Sequence, residues 1–90
     1  MYYVYVLHSL KDGQWYTGAT ADLRARLKRH QAGEVPATRN RQPLELIYYE
    51  ASLSRDDAFR RERFLKSGKG KRYLKQRLSR WLGGTPRDET

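Results

Sequence analysis

The sequence predicts a small mixed α/β domain of the α+β kind, in which helices flank a three-stranded antiparallel sheet in the order β-β-α-β-α-α. Apolar and aromatic side chains alternate over residues 3–7 and recur over 44–50, as expected for strands. Asp12-Gly13 is a hairpin signal because glycine accepts a positive φ, so residues 14–17 should return antiparallel to the first strand. Helical periodicity follows each strand region, which completes the predicted order.

The first helix has recognisable start and stop signals. Gly18 is expected where the chain leaves the second strand, and Thr20 or Asp22 can cap the exposed N–H groups at the start of the helix. Gly33 is the expected stop, since glycine readily takes the left-handed conformation that ends many helices. These signals predict a helix over roughly residues 23–32.

Four side chains of this region should converge on one surface. The hairpin brings Tyr5 and Tyr16 close together, and Arg26 and His30 lie one helical turn apart and face the same way. Arginine binds phosphate oxygens through its charged fork, and tyrosine and histidine can exchange protons. This combination indicates a phosphate site.

The loop over residues 33–43 and the third strand come next. Arg39 and Arg41 project from the loop, where they either grip nucleic-acid phosphates or are simply solvated. The strand over 44–50 is mostly apolar on both faces, which predicts contact on both sides. Helices on both sides of the sheet would provide that contact.

The second helix opens with local capping chemistry and carries one unusual carboxylate. Ser54 is the expected cap, Leu53 is expected to pack against Ala58, and Gly68 is the expected end. Glu62 lies in the middle of the apolar stripe, so it requires a cation. A metal ion, an ion pair with Arg26 in a purely structural role, and a neighbouring lysine are the open alternatives.

The C-terminal part is basic. Residues 67–72 form a glycine-punctuated basic turn that is too short and wrongly spaced for a phosphate-binding P-loop. A third helix follows, whose apolar stripe includes Trp81, expected in the core rather than as a base-stacking platform. Residues 1–82 are expected to form one domain and residues 83–90 a disordered tail. The basic side chains expected to contact nucleic acid are Arg39, Arg41, Lys66, Lys69, Lys71 and Arg72.

Composition narrows the function. Lysine and arginine total 19 against 10 acidic residues, and the net charge of +9 favours a polyanionic partner. The sequence has no cysteine, which excludes disulfides and thiolate zinc sites and fits a cytoplasmic location. With only two histidines, any metal is expected to be a hard cation on oxygen ligands. We expect no signal peptide and no membrane span.

The ordered set of motifs resembles the GIY-YIG nuclease domains, most closely their small stand-alone bacterial members of the UPF0213 or URI type. Tyr3-Val4-Tyr5 stands where that family has Gly-Ile-Tyr, and Tyr16-Thr17-Gly18 stands for Tyr-Ile-Gly after a typical gap of ten residues. The remaining positions of the pattern are Arg26, His30 and Glu62. The supporting asparagine of larger members has no equivalent here.

The resemblance implies a metal-dependent DNA endonuclease that leaves a 5′-phosphate and a 3′-hydroxyl. It assigns one Mg²⁺ or Mn²⁺ ion to Glu62, the proton-accepting role to Tyr5, and supporting catalytic roles to Tyr16, Arg26 and His30. Gly18 is then a structural part of the second motif. A hydroxyl or imidazole near the loop often helps to place the nucleophile, and Thr38 is the candidate here.

The sequence narrows the substrate and the binding partners only to broad classes. We see no appended sequence-reading module, so weak sequence specificity is expected, with single-stranded or branched DNA favoured and RNA as an open alternative. The protein is expected to act as a monomer or a weak homodimer, without a membrane. The alternative is a non-catalytic basic module that binds DNA or RNA on the same fold, and a partner of acidic proteins is a third reading.

Overall fold

The computed structural model describes residues 1–83 and confirms the predicted α+β class with its three-stranded antiparallel sheet. The elements are β1 (Tyr2–Ser9), β2 (Trp15–Thr20), α1 (Leu23–Gln31), a 3-10 turn (Arg39–Arg41), β3 (Leu44–Ser52), α2 (Arg55–Lys66), α3 (Gly68–Arg77) and α4 (Ser79–Gly83). The predicted third helix is divided into α3 and α4 at Leu78. The first residue of the expected tail, Gly83, closes α4, and the rest of that tail lies outside the described residues.

The central strand is β1, with β2 and β3 antiparallel on either side of it. The register places Tyr5 opposite Gly18 on β2 and opposite Tyr49 on β3. Because directly paired residues point to the same face, the side chain of Tyr49 lies on the Tyr5 face of the sheet.

Helices cover both faces of the sheet, as predicted. Like β1, β3 is contacted on both faces, through Leu44 on one side and Ile47 and Tyr48 on the other. Val4 and Val6 pack against α2 and α3, whereas Tyr5 and Leu7 pack against the leucines of α1. In β3, an edge strand, Tyr49 is 55% exposed. The apolar pattern of β3 therefore reflects contacts on both faces, although this edge strand leaves Tyr49 half in solvent.

The local signals position the helices. Asp22 caps α1 by accepting a hydrogen bond from the Ala25 N–H at 3.0 Å, and Gly33 follows α1 with φ +75°. Ser54 caps α2, but the expected packing of Leu53 is wrong, since that side chain is 84% exposed. Gly68 does not end α2 as expected. The helix α2 ends at Lys66, and Gly68 is the first residue of α3. Within residues 1–83, no helix is long and apolar enough to cross a membrane.

Candidate active site

Three aromatic side chains cluster where β1, β2 and α1 meet. The ring centroids of Tyr5 and Tyr16 are 6.3 Å apart, and His30 lies 5.6 Å from Tyr5 and 5.3 Å from Tyr16. Tyr16 precedes Gly18 by two residues along β2, so it shares the sheet face of Tyr5. His30 comes from the last turn of α1. The fold thus brings together three predicted site residues from three separate elements.

Gly18 lies inside β2 and not at its end, which corrects the sequence prediction. A Cβ atom at this position would lie 2.5 Å from the Tyr5 Oη and 2.7 Å from the Tyr5 Cζ. No real side chain tolerates such distances, so the phenol occupies the space that a side chain would need. Glycine is therefore required here for close approach, and no unusual backbone conformation is involved.

We expect Gly18→Ala to displace the Tyr5 phenol and to destabilise the protein by about 1–3 kcal/mol, the usual cost of overpacking a core. Gly68→Ala is the matched control, because a Cβ there would meet only the Arg72 Nη1 at 3.8 Å. Thermal melting of both variants checks this. Equal melting temperatures for Gly18→Ala and the parent would contradict the steric argument.

A buried chain of hydrogen bonds runs from Tyr5 through His30 to Thr38. The Tyr5 Oη lies 2.8 Å from the His30 Nε2, and the His30 Nδ1 lies 2.7 Å from the Thr38 Oγ1. All three side chains are at most 1% exposed. When the phenol donates to Nε2, the single N–H of the neutral imidazole is on Nδ1 and donates to the threonine. Thr38, the auxiliary candidate of the sequence, thus fixes the orientation of the imidazole ring.

The ionisation of this chain favours neutral groups. Burial raises the pKa of the Tyr5 phenol, Tyr16 and Glu62 act in the same direction, and the Arg26 charge opposes them. Burial also lowers the pKa of His30, assisted by the positive charge of Arg26. The positive charge of Arg26 lowers the pKa of the phenol, but burial outweighs this effect and the pKa stays raised. His30, whose neutral imidazole can accept the phenolic proton, is in direct hydrogen-bonding contact with Tyr5.

Arg26 is half-buried on α1, one turn before His30, and its charge is felt by both Tyr5 and His30. Among residues 1–83 its guanidinium forms no ion pair with a carboxylate. The alternative of a structural Arg26–Glu62 ion pair is therefore wrong. An arginine beside a buried chain of hydrogen bonds, without an anionic partner of its own, can bind an anion supplied by a ligand.

The Glu62 carboxylate forms an ion pair with a lysine of its own helix. The Lys66 Nζ lies 3.1 Å from the Glu62 Oε2, so the neighbouring-lysine alternative is the one observed. The side chain of Glu62 is 20% exposed, and its charge acts on Tyr5. The described residues contain no group of three or more histidine, cysteine, aspartate or glutamate side chains that are positioned to hold a metal ion together. A lone, partly exposed carboxylate still fits a hard divalent ion, which keeps several waters and takes its other ligands from substrate phosphates.

The six basic residues predicted to contact nucleic acid lie in three places. Lys66 and Lys71 line a groove that also includes Tyr16, whereas Lys69 and Arg72 line a separate groove on α3. Arg39 is exposed on the 3-10 turn next to Thr38, and the Arg41 Nε lies 3.4 Å from the Asp12 carboxylate. Arg41 is therefore partly neutralised by Asp12. Of the six residues, only Lys66 and Lys71 lie next to the aromatic cluster.

Sequence reasoning missed two features. Arg61 of α2 donates to the Glu50 carboxylate at 2.8 Å, and the same carboxylate accepts from Tyr48 at 2.7 Å. Neither Trp15 nor Lys75 was among the residues predicted to contact nucleic acid, although they line the grooves beside Tyr16. The available signals were the adjacency of Trp15 to Tyr16 and the one-turn spacing of Lys71 and Lys75.

Known proteins match the chain over most of its length. A family model described as the GIY-YIG catalytic domain matches residues 1–78. The UPF0213 protein BH0048 of Halalkalibacterium halodurans is 44% identical over 62 residues, which cover 68% of this chain and 65% of that protein. A UPF0213 protein of Streptococcus sanguinis is 46% identical over 65 residues, covering 71% of this chain and 74% of the relative.

A solved structure agrees with these matches. The solution NMR structure of the UPF0213 protein BH0048 from Bacillus halodurans superposes with a TM-score of 0.53 at 39% sequence identity. The superposition covers 96% of this chain and 89% of that one. The names of these relatives give a family and no reaction.

Proposed function

The chain belongs to the GIY-YIG catalytic domain family, a family of nucleases, and on this premise we propose that it is an endonuclease that hydrolyses DNA phosphodiester bonds with one Mg²⁺ or Mn²⁺ ion. The observation that carries the proposal is the buried hydrogen-bonded chain Tyr5–His30–Thr38 beside the unpaired cation Arg26. A purely structural core has no need to bury such a chain next to an arginine without a carboxylate partner.

Phosphate binding falls to Arg26. Its guanidinium is always charged and presents a planar fork that matches two phosphate oxygens. Because no carboxylate of residues 1–83 pairs with it, a phosphodiester can occupy its donors without breaking an ion pair. Arg26 then stabilises the negative charge that develops on the phosphoryl oxygens.

Proton transfer falls to Tyr5 and His30. A water attacking phosphorus gives a proton to the Tyr5 oxygen while the phenolic proton passes to the His30 Nε2. The raised pKa of Tyr5 makes this coupled transfer necessary, because no phenolate is present beforehand. The imidazolium that forms keeps its Nδ1–H on Thr38. The bond to the 3′ oxygen breaks, and the leaving 3′ alkoxide takes a proton from solvent, which leaves a 3′-hydroxyl and a 5′-phosphate. Tyr16 completes the aromatic wall of the site.

Glu62 would hold the divalent ion, exchanging its ion pair with Lys66 for that ligand. When bound, the ion supplies Lewis-acid stabilisation of charge on the phosphoryl oxygens. The charge of Glu62 raises the pKa of Tyr5, which supports its choice as the carboxylate that would hold the ion near the phosphate bound by Arg26.

The alternative function, a non-catalytic DNA- or RNA-binding module, is favoured by one observation. Glu62 is already neutralised by Lys66, so the charge balance of α2 is complete without a metal. Such a module would bind nucleic acid equally well with the ion and with a chelator.

Cleavage of matched, end-labelled single-stranded, duplex and branched DNA in Mg²⁺, in Mn²⁺ and in EDTA tests the proposal. We expect cleavage that requires metal and is strongest on the unpaired strands. Binding without cleavage under every metal condition would establish the binding module instead. Product ends and an RNA substrate of the same sequence complete the assignment.

The pH dependence of cleavage should reflect His30. His30 must be neutral to accept the proton, and its pKa is lowered from the ordinary value of about 6.5. We therefore expect the rate to hold as pH falls through about 6.5 and to be lost only at more acidic pH, when His30 protonates. A kcat/KM profile, with an NMR titration of His30, measures this. An acid limb above pH 6.5 would contradict it.

A further inference from the structure

Two adjoining grooves follow the free edge of β2 away from the aromatic cluster. One, of about 230 Å³, begins at Tyr16 and passes between β2 and the helices α2 and α3. The next, of about 370 Å³, continues to the Asp12-Gly13 turn and α4. The two grooves share Trp15 and Lys71, so they form one path, which we name the β2-edge track; its further lining includes Lys66 and Lys75.

The charge of the β2-edge track is positive and available. Lys71 and Lys75 lie one turn apart on α3, both are exposed, and neither forms an ion pair with a carboxylate in residues 1–83. No aspartate or glutamate lines either groove. Two unneutralised cations spaced along a path are complementary to consecutive phosphates of a polyanion.

Trp15 adds an aromatic wall to the same path. Its indole is half-buried against the sheet core and lies 6.5 Å from the Trp81 ring, so these two contacts hold it in place. A fixed indole beside two lysines is a combination that binds unpaired bases by stacking and their backbone by charge. A base-paired duplex offers no free base face to such a wall.

We propose that the β2-edge track binds an unpaired strand of nucleic acid, with phosphates on Lys71 and Lys75 and a base against Trp15. The proposal rests on the proposed nuclease function only for its starting point, because Tyr16 belongs both to the track and to the aromatic cluster. It assigns the single-strand preference to named side chains. It also gives Trp15 and Lys75 a function.

The salt dependence of binding tests the lysines. The probe is a fluorescein-labelled oligothymidylate, titrated with the full chain in EDTA so that no cleavage occurs. For the double variant Lys71→Ala, Lys75→Ala we expect binding about tenfold weaker at low salt and a slope of log Kd against log salt reduced by about 1.4, from two lost phosphate contacts. Lys28→Ala, an exposed lysine on α1, is the matched charge control and should leave the slope unchanged.

The aromatic contact has its own test. Trp15→Leu keeps apolar packing against the core but removes the ring, and we expect single-strand binding to weaken about tenfold. Trp15→Phe keeps a stacking surface and should retain most of the affinity. Thermal melting shows whether each variant is folded, and oligothymidylate should quench tryptophan fluorescence in the parent much more than in Trp15→Phe.

The outcomes separate the track from the nuclease. An unchanged salt slope in the double variant would overturn the track even if the parent cleaves DNA. A reduced slope in a protein that never cleaves would support the track and overturn the nuclease. Equal losses of affinity for a duplex of the same length would overturn the assignment to an unpaired strand.

Discussion

Glu62→Gln is expected to reduce cleavage by about 10³-fold or more in both Mg²⁺ and Mn²⁺, because several kcal/mol of transition-state stabilisation depend on the charged carboxylate. The substitution keeps the size of the side chain and replaces one oxygen by an amide nitrogen. Glu62 is also the carboxylate whose charge raises the pKa of Tyr5, which agrees with its proposed role beside that residue.

The same substitution should change folding very little. The Glu62–Lys66 ion pair joins residues four apart on one helix, and such pairs contribute about 0.3–0.5 kcal/mol. Glu34→Gln, which alters an exposed carboxylate near Arg29, is the matched control and should cleave like the parent. Initial rates and melting curves decide the matter. A folded Glu62→Gln that cleaves within a few-fold of the parent would remove Glu62 from the metal site.

The sequence predicted which faces meet, because faces follow from local periodicity. Strand alternation, the Asp12-Gly13 turn and the helical spacing of Arg26 and His30 are enough to predict one cluster. The structure brings Tyr5, Tyr16 and His30 together in agreement with that reasoning. Their catalytic roles are a separate matter and stay a proposal.

Which individual side chains contact each other within those faces could not be predicted from periodicity. A helical wheel placed Glu62 among possible cations but did not choose Lys66, since that choice depends on side-chain conformation and exposure. Gly18 was wrongly predicted at a strand end. The reason that glycine is needed there is the Tyr5 phenol, which lies on another strand and fills the space of a side chain. The β2-edge track escaped for a similar reason: its lining comes from β2, α2, α3 and α4, far apart in the chain.

Tyr5→Phe should reduce cleavage by about 10²–10⁴-fold, the usual contribution of a group that transfers a proton in the transition state. The substitution removes only the hydroxyl and leaves the ring in its place against Tyr16 and His30. It also leaves the buried His30 Nε2 without its hydrogen bond, which costs about 1–3 kcal/mol of stability. Binding of oligothymidylate in EDTA should be retained.

Two comparisons separate chemistry from stability. Thr38→Val breaks the hydrogen bond at the other end of the same buried chain, at a similar cost in stability, but leaves the phenol in place. Cleavage should therefore fall far less in Thr38→Val than in Tyr5→Phe. Tyr3→Phe removes a phenolic hydroxyl from the same strand outside the cluster and should leave cleavage near the parental rate.

The ratio between the Tyr5 and Thr38 variants is the quantity that tests the mechanism. If Tyr5 acts only by holding His30 in the core, both variants lose the same kind of contact and should lose similar activity. If the phenol accepts and passes on a proton in the transition state, only Tyr5→Phe removes the oxygen that receives it. The pH profile of the residual activity of Tyr5→Phe should then lack the acid limb that His30 causes. Similar losses in both variants, with the acid limb intact, would make Tyr5 a positioning residue and assign water activation elsewhere.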